Sequence, residues 1–410
     1  MKVLFVHQNF PGQFLHLAPA LAARGHDCRA LTDAKNGRAS PVPVIRYKHD
    51  APAVDARAAR LGRNYAQMSD RGVTVARAAR QLRDRDGYVP DVILGHSGWG
   101  ETLFLKQVWP GARLIVYSEF YYAGQGRDVG FDAEFDDPAP DARFDAGLIA
   151  QGRAAHLGQA LLHADQGLAP TRWQADAVPQ ALRDRVTVIF DGVDTDVVRP
   201  DPAAALTLPD GTTLRAGEEV LSFVNRNLEP YRGFHILMRA LPEVLAARPQ
   251  ARAVIVGGDE VSYGRPPPDG GTWRDRMLAE VGGRLDMARV HFTGRLSYAD
   301  FVRLMQVTRV HAYLTYPFVL SWSAVEALAA GALVVGSRTA PVEEVIRHGE
   351  NGLLVDFFDV AGWVRTLTDA LAHPERHAAQ RVAARAGVVQ DYDLRSVCLP
   401  RLIGLVEGAG

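Results

Sequence analysis

The sequence predicts a two-domain α/β protein built on doubly wound parallel sheets, and three observations carry that prediction. Short apolar runs alternate with helix-periodic segments from the first residues onward, the pattern of parallel strands joined by crossover helices. The alternation pauses over 191–202, DGVDTDVVRPDP, a stretch rich in Asp and Pro, and then begins again with a strand. The chain is also long enough, at 410 residues, for two such halves.

Residues 3–7 read as the first strand. The turn Asn9-Phe10-Pro11-Gly12 follows, and Phe14, Leu17, Ala18 and Leu21 then recur at helical spacing up to Gly25. Further strands are expected at 92–94, 114–117, 167–169 and 186–190, with helices between them, notably an Ala/Arg-rich one over 53–82. In the second half, strands are expected at 220–224, 253–256, 290–292, 310–314 and 333–336, and helices at 234–245, 275–281 and 323–330. No short-period repeat interrupts this order, which excludes solenoids and propellers.

Composition narrows the function. Lys and Arg total 46 against 47 Asp and Glu, a net charge of −1, so the basic excess expected of a nucleic-acid binder is missing. Two cysteines, Cys28 and Cys398, are too few for a disulfide framework or a Cys-rich zinc site, and a reducing, cytoplasmic setting is expected. The apolar run at the start is too short for a signal peptide, and no stretch of about 18 apolar residues could span a membrane. Peripheral membrane contact stays open.

Ligands of open α/β sheets bind beyond the carboxyl ends of the strands, and two such domains enclose a cleft, so chemistry is expected in strand-to-helix turns. In VNRNLEPYRGF (224–234), Arg226 and Arg232 are expected in the loop after a strand, just before a helix opened by Gly-Phe. Two guanidinium groups beside a helix N-terminus suit a diphosphate. Either arginine could instead cap a carbonyl or pair with Glu229. In YPFVLSWSAVEALAAG (316–331), Glu326 is expected in the first turn of a helix, where a carboxylate could accept both ribose hydroxyls. The backbone N–H groups of Val319, Leu320 and Ser321 would point toward phosphate. A surface glutamate favoured by the helix dipole is the other reading of Glu326. YSEFYY (117–122) ends a strand with Glu119, Tyr121 and Tyr122, an acid and rings that would suit a carbohydrate or aromatic acceptor, although strand-end tyrosines also serve plain packing.

The Arg-x5-Arg-Gly loop, VEALAAGALVVGS (325–337) and HGENGLLV (348–355) together resemble family 4 of the nucleotide-sugar glycosyltransferases, the retaining GT-B group. HQNFPGQFLHLAPALAARGH (7–26), DVILGH (91–96) and IFDGVD (189–194) are similar too, so the resemblance spans nearly the whole chain. It implies a GT-B fold: two Rossmann-like domains facing across a cleft. Residues 1–190 would be the acceptor side, 191–394 the nucleotide-sugar side, and the last helix, 395–410, would pack back on the first domain. It also implies roles. Arg226 and Arg232 would neutralise the departing diphosphate, Glu326 would bind ribose, and Gly12 would lie near the donor phosphate. His96 would face the donor sugar, and Arg295 would fall where the backbone touches the base. No cofactor or metal is expected; the donor would be a nucleotide-diphosphate sugar, and the acceptor a carbohydrate, lipid-linked or small molecule.

One position departs from the family pattern: Phe318 stands where a first glutamate normally touches hydroxyls of the transferred sugar. Backbone donors from 319–321 in its place, an altered or deoxy sugar, or loss of activity are the readings it leaves. The triplets Asp84–Asp86, Asp194–Asp196 and Asp391–Asp393 read as chance in an aspartate-rich chain rather than as metal sites. In GHSGWG (95–100), Trp99 replaces the closing glycine of a nucleophile elbow and Leu103 the third glycine of a dinucleotide fingerprint. Gly124-x-Gly126 precedes an acidic loop, 131–146, and reads as a flexible turn ahead of a solvated surface. The expected activity is therefore metal-independent, retaining glycosyl transfer. A non-hydrolysing sugar-nucleotide epimerase and a silent nucleotide-sugar-binding protein are the rivals.

Overall fold

The computed structural model describes residues 1–51, 62–137, 139 and 141–408. The chain divides into two compact units, Met1–Asp191 with Cys398–Gly410, and Gly192–Val397.

In the first unit, β1 (Lys2–Val6), β2 (Asp27–Asp33), β3 (Val44–Tyr47), β4 (Val92–His96), β5 (Arg113–Tyr117), β6 (Gln166–Ala169) and β7 (Val186–Val188) form one parallel sheet in the order β3-β2-β1-β4-β5-β6-β7. Order reverses between β1 and β4, which opens a crevice at their carboxyl ends. Alternate residues of these strands feed two cores. On one face Leu4, Val6, Ile93 and Leu114 pack under Val75, Ala79 and Leu82 of the helix Arg63–Asp86. On the other, Val3, Phe5, Leu94 and Ile115 pack with Leu17 and Leu21 of the helix Leu17–Ala23. That second core also takes Leu402 and Val406 from the chain's last helix, Leu399–Glu407, whose Glu407 bonds Arg24 at 2.7 and 2.9 Å and His26 at 2.9 Å.

The second unit begins with an antiparallel hairpin, β8 (Ala205–Thr207) and β9 (Thr213–Arg215). Its parallel sheet comprises β10 (Val220–Asn227), β11 (Arg252–Gly258), β12 (Val290–Gly294), β13 (Val310–Tyr313), β14 (Leu333–Ser337) and β15 (Leu353–Val355), in the order β12-β11-β10-β13-β14-β15. The reversal here lies between β10 and β13.

Two doubly wound parallel sheets are thus what the alternation predicts. Every strand expected from an apolar run is present; β2, β3, β15 and the hairpin are additional. Asp27, Arg29, Thr32 and Asp33 break up the apolar signal of β2, and β3 and β15 are short edge strands. Of the helix expected over 53–82, residues 53–61 lie outside the described residues, and the remainder continues to Asp86. The acidic stretch at 131–146 is not one loop, because residues 142–146 already belong to the helix Ala142–His163 and Asp132 is buried, accepting from the Glu134 amide at 3.1 Å. Among the described residues no helix is long and apolar enough to cross a membrane.

Candidate functional site

In the second unit the chemistry gathers at the carboxyl ends of β10 and β13. β10 does not stop at Val224: a register shift against β11 carries its pairing on to Asn227 opposite Gly258. Arg226 is therefore a strand residue rather than a loop residue. It is exposed, and among the described residues its side chain has no hydrogen bond or ion pair. The chain then makes a single turn, Pro230–Arg232, and enters the helix Phe234–Ala247 through Gly233. That glycine has φ +68°, and a Cβ there would overlap the Leu314 side chain, so no other residue fits without strain.

Arg232 is buried. Its Nη1 donates to Thr315 Oγ1 and to the Val319 carbonyl, each at 2.8 Å, so it does cap a carbonyl. Its guanidinium carbon lies 5.2 Å from the Tyr263 ring centre and 5.6 Å from that of Phe318. Glu229 is not its partner through a hydrogen bond. This fully buried carboxylate accepts the amides of Ser262, Tyr263 and Gly264 at 3.3, 3.2 and 2.9 Å, fixing the loop that brings Tyr263 over Arg232. Phe318 packs against Tyr231 and Tyr263, with ring centres 5.5 and 4.8 Å away.

Ser321 caps the helix Trp322–Ala329, and its own amide donates to the Tyr313 hydroxyl at 2.7 Å. Of the three amides expected to face phosphate, that one is thus engaged; those of Val319 and Leu320 have no partner among the described residues. Glu326 lies in the second turn of this helix, not the first, because the helix starts at Trp322. Being buried, it is no surface dipole-capping residue. The Tyr298 hydroxyl donates to Oε1 at 3.0 Å, and burial pushes the Glu326 pKa up to about 7. Oε2 has no protein partner among the described residues. Arg295 is half exposed, bonded to Glu260 and, at 3.2 Å, to Asn227 Oδ1.

In the first unit, His7 follows β1, His96 ends β4 and Glu119 follows β5. The Asn9 amide donates to His7 Nδ1 at 2.9 Å and the Gly98 amide to His96 Nδ1 at 3.0 Å, which puts the ring proton of each on Nε2. His7 Nε2 meets Gln13 Oε1 at 3.1 Å, Gln13 Nε2 donates to Glu119 at 3.3 Å, and His96 Nε2 stands 3.4 Å from Glu119 Oε2. Burial pushes the His7 pKa down to about 3, so the ring is neutral. Gly12 has φ +50°, and a Cβ on it would stand 2.8 Å from His7 Nε2. The structure thus brings Gly12, His96 and Glu119 to one place. Tyr121 and Tyr122 are drawn into packing: Tyr121 against the core beneath helix Ala142–His163, and Tyr122 edge-on to Phe120 with Arg153 over its ring.

Most of the Asp-x-Asp carboxylates have protein partners. Asp194 and Asp196 both pair with Arg395, Asp393 accepts from Thr195 and Ser396, and Asp84 pairs with Arg83. Site residues that sequence reasoning missed fall into two kinds. His7 ends the FVH run much as His96 ends LGH, a signal the strand-end rule could have used. Tyr263 and Thr315 come from loops, and Tyr298 from the start of the helix Tyr298–Val307, all remote in sequence from the groups they meet, and they leave no local signal.

Comparison with known proteins agrees with this architecture. Residues 24–198 match the glycosyl transferase family 4 group, and residues 208–387 match glycosyl transferases group 1. A D-inositol 3-phosphate glycosyltransferase of Thermobispora bispora is 31% identical over 205 residues, covering 49% of this chain and 46% of that protein. Its counterpart from Rhodococcus jostii is 29% identical over 287 residues, 66% of this chain and 61% of that one. The chain thus matches about half to three-fifths of the length of these curated relatives. The crystal structure of Anabaena HepE in complex with UDP superposes with a TM-score of 0.68 at 17% identity, covering 100% of both chains. The fold is GT-B, and the chain belongs to the family 4 glycosyltransferases.

Proposed function

We propose that the protein transfers a sugar from a nucleotide-diphosphate donor to an acceptor hydroxyl, with retention of configuration and without a metal. The observation that carries this reading is the buried Arg232 at the strand-end turn, next to a helix start and to the free amides of Val319 and Leu320. A cation and aligned amides held in a low-dielectric setting stabilise charge as it develops on a leaving diphosphate. Arg226, whose side chain has no partner among the described residues, adds a second cation at the end of β10. Glu326 Oε2, with no protein partner among the described residues, is free for ribose hydroxyls, and Arg295 would meet the base. The acceptor would be taken by the first unit, where Gly12 would serve the donor phosphate, His96 the donor sugar and Glu119 the acceptor; Tyr121 and Tyr122 would support it.

In the step itself the bond from sugar C1 to the phosphate oxygen breaks, and the acceptor oxygen bonds to C1 on the face the phosphate leaves. The acceptor proton passes to the departing phosphate oxygen. UDP in the HepE crystal makes uridine diphosphate sugars the first donors to try, and the curated relatives make a cyclitol phosphate the first acceptor. Incubating the protein with such donors, with and without acceptor and with EDTA, then reading the anomeric configuration by NMR, tests the proposal. Retained configuration with EDTA-insensitive turnover is expected; inverted product or loss of turnover in EDTA would contradict it. The packed Phe318 favours a second reading, a silent nucleotide-sugar binder, which would bind donor yet release no nucleotide. Sugar conversion without acceptor would instead reveal an epimerase.

A further inference from the structure

The turn that follows β4 is built more rigidly than its length requires. Ser97 Oγ donates to the Tyr117 carbonyl at 3.0 Å, the Gly98 amide bonds back to His96, and the Gly98 carbonyl meets His156 Nε2 at 3.2 Å. Both flanking glycines are needed. A Cβ at Gly98 would stand 2.9 Å from the His96 ring, and Gly100, at φ +83°, lies against the Met68 backbone. Yet this fixed turn carries Trp99, and leaves 39% of it exposed to solvent. The indole is near-parallel to His96, at 26° with ring centres 6.4 Å apart, and among the described residues it makes no other ring contact.

A large apolar ring held outward on a hydrogen-bonded turn loses little freedom when a ligand covers it. The negative face of an indole attracts the C–H bonds of a ring laid flat on it, while the edges of that ring remain free for polar groups. Such polar groups stand beside His96: the Glu119 carboxylate, its side chain 37% exposed, and the Gln13 amide bonded to it. An apolar platform with a carboxylate near it is what a pyranose or cyclitol offers to bind, an apolar face and a rim of hydroxyls.

We propose that Trp99 is the platform of the acceptor subsite and that the acceptor is presented on a saturated polyhydroxylated ring, stacked on the indole with its hydroxyls toward Glu119. Its catalytic meaning rests on the reading of the first unit as the acceptor side; the binding itself does not.

The test therefore measures binding without turnover. Among the six tryptophans, the Trp99 indole N–H resonance of the 15N-labelled protein is identified by its disappearance in Trp99→Phe. Methyl β-D-glucopyranoside is titrated as the probe, with glycerol as a polyol lacking a ring face. The glucoside is expected to move the Trp99 resonance along a saturable curve and glycerol to leave it in place. Saturation transfer should reach the axial H1, H3 and H5 protons of the glucoside in the wild type and in Trp99→Phe, and should be lost in Trp99→Ala. A resonance unmoved by glucoside, or moved equally by glycerol, would overturn the platform. So would a response to nucleotide sugar alone, which would make Trp99 part of the donor site. Should the protein transfer no sugar at all, the proposed function fails while this titration still decides whether Trp99 binds a ring.

Discussion

Burial pushes the Glu326 carboxyl pKa up to about 7, while the Tyr298 hydroxyl favours its ionised form. Ribose hydroxyls donated to Oε2 would favour the carboxylate further, because a charged acceptor makes the stronger hydrogen bond. Linkage then fixes the sign: if the ligand prefers the ionised group, its affinity rises as pH rises through about 7. Glu326→Gln should remove that pH dependence and weaken nucleotide binding by about tenfold, the loss of one charge-assisted bond. Calorimetric titrations of UDP across this range check both, and an unchanged slope in the variant would remove Glu326 from the nucleotide site. At this scale the sequence was readable for position: Arg232 stands in the turn before the helix, as expected, whereas Glu326 falls one turn later than expected. It was unreadable where a role depends on who stands opposite. The three amides that Glu229 accepts, and the Tyr263 ring they bring to Arg232, are contacts over about thirty residues of chain with no local periodicity to announce them.

The strand-to-helix turns are where element geometry becomes chemistry. Gly233 joins the turn Pro230–Arg232 to its helix with a positive φ directly over Leu314, so that Arg232 is delivered to Thr315 and Val319. Gly233→Ala should cost at least about 1–3 kcal/mol, since it combines a left-handed backbone with an overlap that Leu314 must relieve. Denaturant unfolding would measure it; a wild-type midpoint would mean that the turn can relax and does not fix Arg232. Apolar runs and cap residues marked most elements correctly, because burial on both faces makes a parallel strand apolar throughout. The misses have local causes: β2 carries charges at its ends, β3 is a four-residue edge strand with an exposed Arg46, and β15 is an edge strand of only three residues. Boundaries suffered where pairing decides them, as in the bulged extension of β10 that takes Arg226 out of the loop.

At the scale of the whole chain, two sheets each reverse their strand order once, and the residues with unpaired or strained chemistry stand at the carboxyl ends of the strands beside those reversals. The alternation of apolar runs made that architecture legible, and the family resemblance supplied the roles that no periodicity encodes. The central claim is that Arg232 binds a nucleoside diphosphate in the second unit. Calorimetry of UDP, GDP and ADP, each against its nucleoside, with the wild type and Arg232→Ala, tests it most directly. At least one diphosphate should bind well above its nucleoside, and Arg232→Ala should weaken that diphosphate by about tenfold or more while its circular dichroism stays native. Equal affinity in a folded Arg232→Ala variant, or no preference for any diphosphate over its nucleoside, would contradict the account.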